Sequence, residues 1–303
     1  MNLDWFDNVK WLTDFPQIGR SSLRLMSRTI DQHYRAFSRA YGDDIEAFFR
    51  PLLDFLLWFE KLLINTPWWI VLAVIVAIVW IASRSAKITA GTLIALVLIG
   101  VFGMWEDTMR TLSIIVVCTA LSIILGMPIG ILMSRSNKVQ AAINPILDVM
   151  QTMPSFVYLI PIVMLLGIGL IPGLIVVVIY AMPPIIRLTN LGIRLVDKEV
   201  LEAANAFGAS SWQKLVHVQM PLALPTIMAG INQTIMMALA MVVVASLIGV
   251  RGLGQPVLQA ITNQYFTQGL LNGLAIVAIA IVFDRASQSY GKRLQRHREA
   301  AHG

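Results

Sequence analysis

One cysteine, Cys118, stands among 303 residues. A lone thiol excludes a disulfide framework and a cysteine-based zinc site. Charge is also scarce: 13% of residues are Asp, Glu, Lys or Arg, roughly half the share that coats a soluble domain. Only four histidines occur, His33, His217, His297 and His302, and they are scattered. The sequence has no Gly-x-x-x-x-Gly-Lys-Ser/Thr phosphate loop, no His-Glu-x-x-His pair and no Gly-x-Ser-x-Gly elbow. Gly249-Val-Arg-Gly252-Leu-Gly254 is glycine-rich, but it follows a long apolar run rather than a strand, so a dinucleotide site is not expected. Met1-Asn2-Leu3-Asp4 lacks the basic and apolar regions of a signal peptide. These absences predict a chain that is not itself an enzyme and holds no metal or cofactor. Any energy for its work must come from another chain.

What is abundant is apolar surface. Hydrophobic residues make up 57% and the mean hydropathy is +0.73. Disorder, collagen and coiled coil are excluded, and an all-α polytopic membrane protein is expected. The net charge of +6 does not argue for nucleic acid, because excess Lys and Arg in a membrane chain mark cytoplasmic loops.

Seven apolar stretches can each cross a bilayer core of about 30 Å, given tilt or thinning. They run near 67–83, 88–104, 108–134, 142–166, 171–190, 225–249 and 269–286. Thr66 can cap the first, Pro67 suits its first turn, and Trp68, Trp69 and Trp80 sit near its ends as interfacial aromatics do. Residues 1–66 precede them as a tail. From Asp44 to Leu63 that tail places Ile45, Phe48, Phe49, Leu52, Leu56, Phe59 and Leu63 at spacings of three and four, interrupted by Arg50, Asp54, Glu60 and Lys61. The pattern fits an amphipathic helix, lying either in the membrane interface or against the rest of the protein.

Counting Lys and Arg in the connections gives orientation. With the C-terminus cytoplasmic, 13 fall inside, among them Arg84, Lys87, Arg135, Lys138, Arg187, Arg194, Lys198 and Lys214, and only Arg110 and Arg251 fall outside. That bias and seven spans put the N-terminus outside. The basic tail 291–303, with Lys292, Arg293, Arg296 and Arg298, then lies at the cytoplasmic lipid surface.

The longest connection, Arg187 to Pro225, carries the most information. Asp197 can cap a short helix that Gly208 ends. On it Val200, Ala203, Ala204 and Phe207 fall at i, i+3, i+4 and i+7, giving one apolar face with two alanines at its centre. Ser210 or Ser211 can cap a second short helix, Trp212 to Gln219, set apart from the next span by Pro221. A helix–turn–helix with a small-residue face suits a groove in a partner; it also suits packing on its own helices. A reversal this short calls for positive φ at Gly208.

Glu202-Ala203-Ala204, three residues, Gly208, nine residues, then Val218-Gln219-Met220-Pro221 resembles the EAA motif of permease subunits of ATP-binding-cassette importers, with Val218 and Met220 in place of isoleucine and leucine. Gln151-Thr-Met-Pro154-Ser-Phe156-Val-Tyr158-Leu-Ile-Pro161, Pro183-Pro184-Ile-Ile-Arg187-Leu-Thr, Pro225 through Thr234 and Gly252-Leu-Gly254-Gln255 are similar to the subgroup importing glycine betaine, proline betaine and choline. The resemblance covers about 105–290, leaving 67–104 as two accessory spans. It implies a type I importer permease in the bacterial inner membrane, a partner second copy, two ATPases that bind ATP and Mg, and an external binding protein. It implies that loop 191–221 couples to the ATPase. By motif position Glu202, Ala203, Ala204 and Gly208 belong to that contact, and the apolar face adds Val200 and Phe207.

Physical features point to a translocation path independently. Pro145, Pro154 and Pro161 interrupt the fourth stretch and Pro183-Pro184 ends the fifth. Freed carbonyls are tolerated where a water-filled cavity or neighbouring helices satisfy them. Thr152, Pro154, Phe156 and Tyr158 lie on that interrupted segment, and aromatic faces stabilise a quaternary ammonium by about 0.5–2 kcal/mol; such aromatics also serve as core. Asp148, the one acid expected near an apolar span, either contacts substrate, snorkels, or pairs with a basic loop residue. Rival readings are the same architecture for an amino acid or another small solute, and a stand-alone ion-coupled transporter, which has no use for an EAA loop.

Overall fold

The computed structural model describes residues 19–302 and, beyond Gly291, of the side chains only Arg293. Every described element is a helix. In chain order they are α1 Arg20–Asn65, α2 Trp68–Ser83, α3 Ala86–Val101, α4 Trp105–Arg135, α5 Asn137–Thr152, α6 Ser155–Leu166, α7 Leu170–Arg194, α8 Lys198–Ala206, α9 Ser211–Ile248, α10 Gly254–Asn263 and α11 Phe266–His302.

Among the described residues, four helices, α4, α7, α9 and α11 (over Phe266–Gly291), are long and apolar enough to cross a membrane unbroken. The expected fourth span is instead two helices, α5 and α6, bent by 100°. The cause is local. Pro154 pushes the residue before it out of the helical region, and Met153 sits at φ −67°, ψ 131°. The first two expected spans form as α2 and α3, each of 16 residues, about 24 Å long and so shorter than the bilayer core. Their boundary is Arg84, which turns the chain at φ 49°. Thr66 does not cap α2: its hydroxyl donates back to the Leu62 carbonyl at 2.6 Å, and Pro67 holds the capping position. The short helix α10 has no counterpart among the expected elements.

The core forms where small residues let helices close. α7 is the most enclosed span, with two thirds of its apolar window buried, and it lies between α4 and α9. Gly126 and Gly130 on α4 face Ile185, Ile186 and Thr189 of α7; a Cβ on Gly130 would stand 2.6 Å from the Ile186 carbonyl oxygen. Gly230 on α9 meets Leu188 in the same way, and Gly192 on α7 meets Thr226. Small interfacial residues of this kind are how helices associate in lipid, where apolar burial gives little drive. α11 packs at the edge of this core through Ala275 and Ile279, with 17% of its window buried.

The amphipathic helix is longer than its sequence pattern, 46 residues, and meets α2 at 110°. Its inner face carries Tyr34, Ser38, Gly42, Ile45, Phe49, Leu52, Leu56 and Phe59, while Phe48 points out, 77% exposed. That face lies on one end of the bundle. Glu60 reaches Arg110 near the start of α4 at 3.5 Å, and Ser38 donates to the Leu165 carbonyl at the end of α6 at 3.0 Å. The opposite end holds Arg135, the end of α7, and α8.

Candidate coupling site and translocation path

At the α8 end, the backbone is set by caps readable in the sequence. The Asp197 carboxylate accepts from Glu199 N–H at 2.9 Å and opens α8. Gly208 then reverses the chain at φ +75°, a left-handed conformation that costs a side-chain-bearing residue about 1–2 kcal/mol. Ser210 opens α9 with a capping box: its hydroxyl accepts from Gln213 N–H and the Gln213 side chain accepts from Ser210 N–H at 2.8 Å. One expectation is corrected. Pro221 does not separate a second short helix from the next span; the helix runs on from Ser211 to Ile248. A π-helical segment, Lys214–Gln219, changes the hydrogen-bond register ahead of the proline and so absorbs its missing N–H.

This loop is anchored yet presents its apolar face outward. Arg135 donates to the Ser211 carbonyl at 2.6 Å, and Lys214 ties Asn205 at 2.6 Å. Arg194 at the end of α7 reaches both Asn137 and the Met133 carbonyl at 2.7 Å. α8 itself buries no residue. Val200, Glu202, Ala203 and Gly208 are exposed, Ala204 is half-buried, and Phe207 is 92% exposed. A large apolar side chain held out on an anchored turn, beside small residues, is a knob shaped for a recess.

The second region is the break between α5 and α6. Asp148, Gln151 and Thr152 are exposed on the last turns of α5, and the Thr152 hydroxyl donates to the Asp148 carbonyl at 2.9 Å. Pro154 is exposed at the bend and Phe156 is 57% exposed just beyond it. Tyr158 is set apart from these. It is buried, its ring meets Tyr180 edge-on at 5.8 Å, and its hydroxyl donates across the bend to the Met150 carbonyl. It braces the bend and offers no open face to a passing cation.

Asp148 has a partner: Arg187 donates to its carboxylate at 2.6 Å. The charge count treats Arg187 as a loop residue, but it lies inside α7, seven residues before Arg194. A second acid is absent from the expected set. Asp284 lies in α11 within an apolar span and accepts from Asn232 of α9 at 2.9 Å and Gln288 at 2.6 Å, while Ser287 donates to Asn232. The available signal is its own position: an acid inside the 269–286 stretch needs a polar partner. Of the basic tail, Arg293 donates to the Ile81 carbonyl of α2 at 2.9 Å; the side chains of Lys292, Arg296 and Arg298 lie outside the described residues.

Comparison with known proteins decides the family. Residues 122–296 match the family described as "Binding-protein-dependent transport system inner membrane component". The chain belongs to that family. It is a multi-pass inner-membrane permease of the ATP-binding-cassette importers. This permease is 45% identical over 258 residues to the glycine betaine/proline betaine transport system permease protein ProW of Escherichia coli (strain K12), covering 82% of this chain and 73% of the relative. It is 44% identical to the glycine betaine/carnitine transport permease protein GbuB of Listeria monocytogenes, over 75% of this chain and 81% of that one. The MetNI methionine ABC transporter in an inward-facing form aligns with a TM-score of 0.56 at 20% identity, over 61% of this permease and 93% of that chain. That likeness bears on the fold, the type I permease fold.

Proposed function

We propose that this permease forms the membrane path of an importer for glycine betaine, proline betaine or a related quaternary amine such as choline. Two copies work with two ATPases, which bind ATP and Mg, and one external binding protein delivers the solute. The observation that carries the substrate class is the 45% identity to ProW across 82% of the chain. The exposed Phe207 on its anchored turn supports coupling through α8. Closure of the ATPases moves that turn as a lever, because Arg135 and Arg194 tie it to α4, α5 and α7.

Orientation follows from the same reading. With α8 against a cytoplasmic ATPase, α1 lies outside, since Glu60–Arg110 and Ser38–Leu165 hold it to the other end of the bundle. The permease has no phosphate loop and is not itself the ATPase.

The test is reconstitution of permease, ATPase and binding protein in vesicles, with ATP on the ATPase side. Labelled glycine betaine is expected to accumulate, with proline betaine and choline measured alongside. The permease alone is expected to release phosphate only at background. Accumulation of an amino acid but no betaine, or turnover by the lone chain, overturns the reading.

A further inference from the structure

Asp148 and Arg187 form an ion pair in an unusual place. Arg187 lies seven residues inside the end of α7 marked by Arg194, about 10 Å along the helix axis, and Asp148 lies eleven residues into α5. Arg187 is thus two turns in from that end of an apolar span, and it and Asp148 both keep exposed surface, 36% and 63% of their side chains. Gln151 and Thr152 extend the same polar surface to the break at Pro154. Ionisable groups at membrane depth face a protein interior or water rather than lipid. The pairing is also incomplete. One guanidinium nitrogen holds one carboxylate oxygen, and Arg187 Nε is buried with no hydrogen-bond partner. The planar fork of an arginine is able to hold a carboxylate with two parallel bonds, and here that capacity is unused.

A betaine carries both halves of this pair, a carboxylate and a quaternary ammonium. We propose that Asp148 and Arg187 form a zwitterion subsite of the translocation path. The solute carboxylate takes the fork of Arg187, its ammonium takes Asp148, and the protein pair re-forms when the solute leaves. The inference rests on the betaine reading above. The exchange keeps the local charge at zero throughout. A cation without a carboxylate, such as choline, leaves Arg187 unmatched and adds a like charge beside it, which Coulomb repulsion disfavours. The path thus selects zwitterions over cations after the binding protein has made its own choice.

The test uses the full complex. In a background with Cys118→Ala, Thr152→Cys places a thiol one turn from Asp148. Glycine betaine at saturating concentration is expected to slow its labelling by a small thiol reagent, and choline at equal ionic strength is not. Equal rates with and without betaine, or equal protection by choline, overturn the subsite. A second arm compares uptake by Asp148→Asn, Arg187→Gln and the doubly neutral variant. All three are expected to fall by about tenfold or more, the double variant included, because a subsite needs both charges; Arg187→Lys retains more uptake than Arg187→Gln. A double variant that recovers the original rate makes the pair a structural latch and overturns the proposal. Betaine uptake by the unaltered complex separates the two readings: uptake without protection sinks the subsite alone, whereas absence of uptake sinks the substrate class and the subsite with it.

Discussion

Asn232 on α9 and Asp284 on α11 are joined at 2.9 Å, 52 residues apart in sequence. The bond fastens the loosely buried α11 to the core through a carboxylate that would otherwise be stranded. Ser287 and Gln288 complete the cluster, so the carboxylate and the amide are mutually satisfied. Removing Asn232 takes from the carboxylate one of its two donors and leaves only Gln288, at a cost of about 1–3 kcal/mol. Asn232→Ala is expected to lower the thermal midpoint of the purified permease, and Asp284→Asn, which keeps the geometry, to lower it less. Thermal unfolding of the two variants side by side checks this; equal midpoints for Asn232→Ala and the parent would show that α11 is held by its apolar contacts alone.

The contact of Gly130 with α7 makes a second prediction. A Cβ there would sit 2.6 Å from the Ile186 carbonyl oxygen and 2.7 Å from Thr189 Cβ, and backbone cannot step aside cheaply. Gly130→Ala is expected to destabilise by about 1–3 kcal/mol, the usual range for overpacking. Gly91 on α3 is the control, since a Cβ there meets nothing within 4 Å. Gly91→Ala is expected to be neutral or mildly stabilising through helix propensity. Thermal midpoints in detergent read both, and a harmless Gly130→Ala would mean that α4 and α7 are less tightly apposed.

These two pairs show what a sequence can and cannot reveal. Hydropathy marks every apolar stretch, and the caps at Asp197 and Ser210 are local signals, so α8, its reversal and its apolar face are legible without coordinates. Hydropathy has no angle in it, however. Residues 142–166 read alike whether the chain runs straight or bends by 100° at Met153–Pro154. Counting charges places every arginine at a boundary, whereas Arg187 sits two turns inside α7 because Asp148, 39 residues away, neutralises it. Asp284 is visible inside the 269–286 stretch, but its partner is not, because that partner comes from a distant helix. Polar pairs between helices are where sequence order carries least information.

The position of α1 yields a topological prediction. Ser21 is exposed at the start of α1, and α1 is fixed to the end of the bundle opposite α8. In a background with Cys118 replaced, Ser21→Cys is expected to react with an impermeant thiol reagent in intact cells. Labelling only after lysis would place α1 and α8 on one side of the membrane. Tyr34 supports the same placement. Its hydroxyl donates to the Pro161 carbonyl of α6, and burial raises its pKa above the ordinary phenol value.

The coupling turn gives the most exposed prediction. Gly208 has φ +75° and open space around it: a Cβ there would meet nothing within 4 Å. The cost of a side chain is therefore backbone strain within this chain, about 1–2 kcal/mol, not a clash with the permease's own helices. Asparagine tolerates the left-handed region better than β-branched residues do. Gly208→Asn is expected to keep much of the uptake. Gly208→Val is expected to tilt α8 against α9, misplacing Phe207 and the Ala203–Ala204 face, and so abolish both uptake and transport-coupled ATP hydrolysis. Membrane insertion and docking of the binding protein should survive, because the spanning helices do not touch this turn through residue 208. Glu202→Ala removes one exposed carboxylate and leaves the reversal intact, so its effect is expected to be smaller than that of Gly208→Val. Uptake and ATP hydrolysis of the reconstituted variants, measured with binding-protein docking on the same preparations, decide the matter. Wild-type uptake by Gly208→Val would mean that residues 197–219 are not the element through which the ATPase drives the permease.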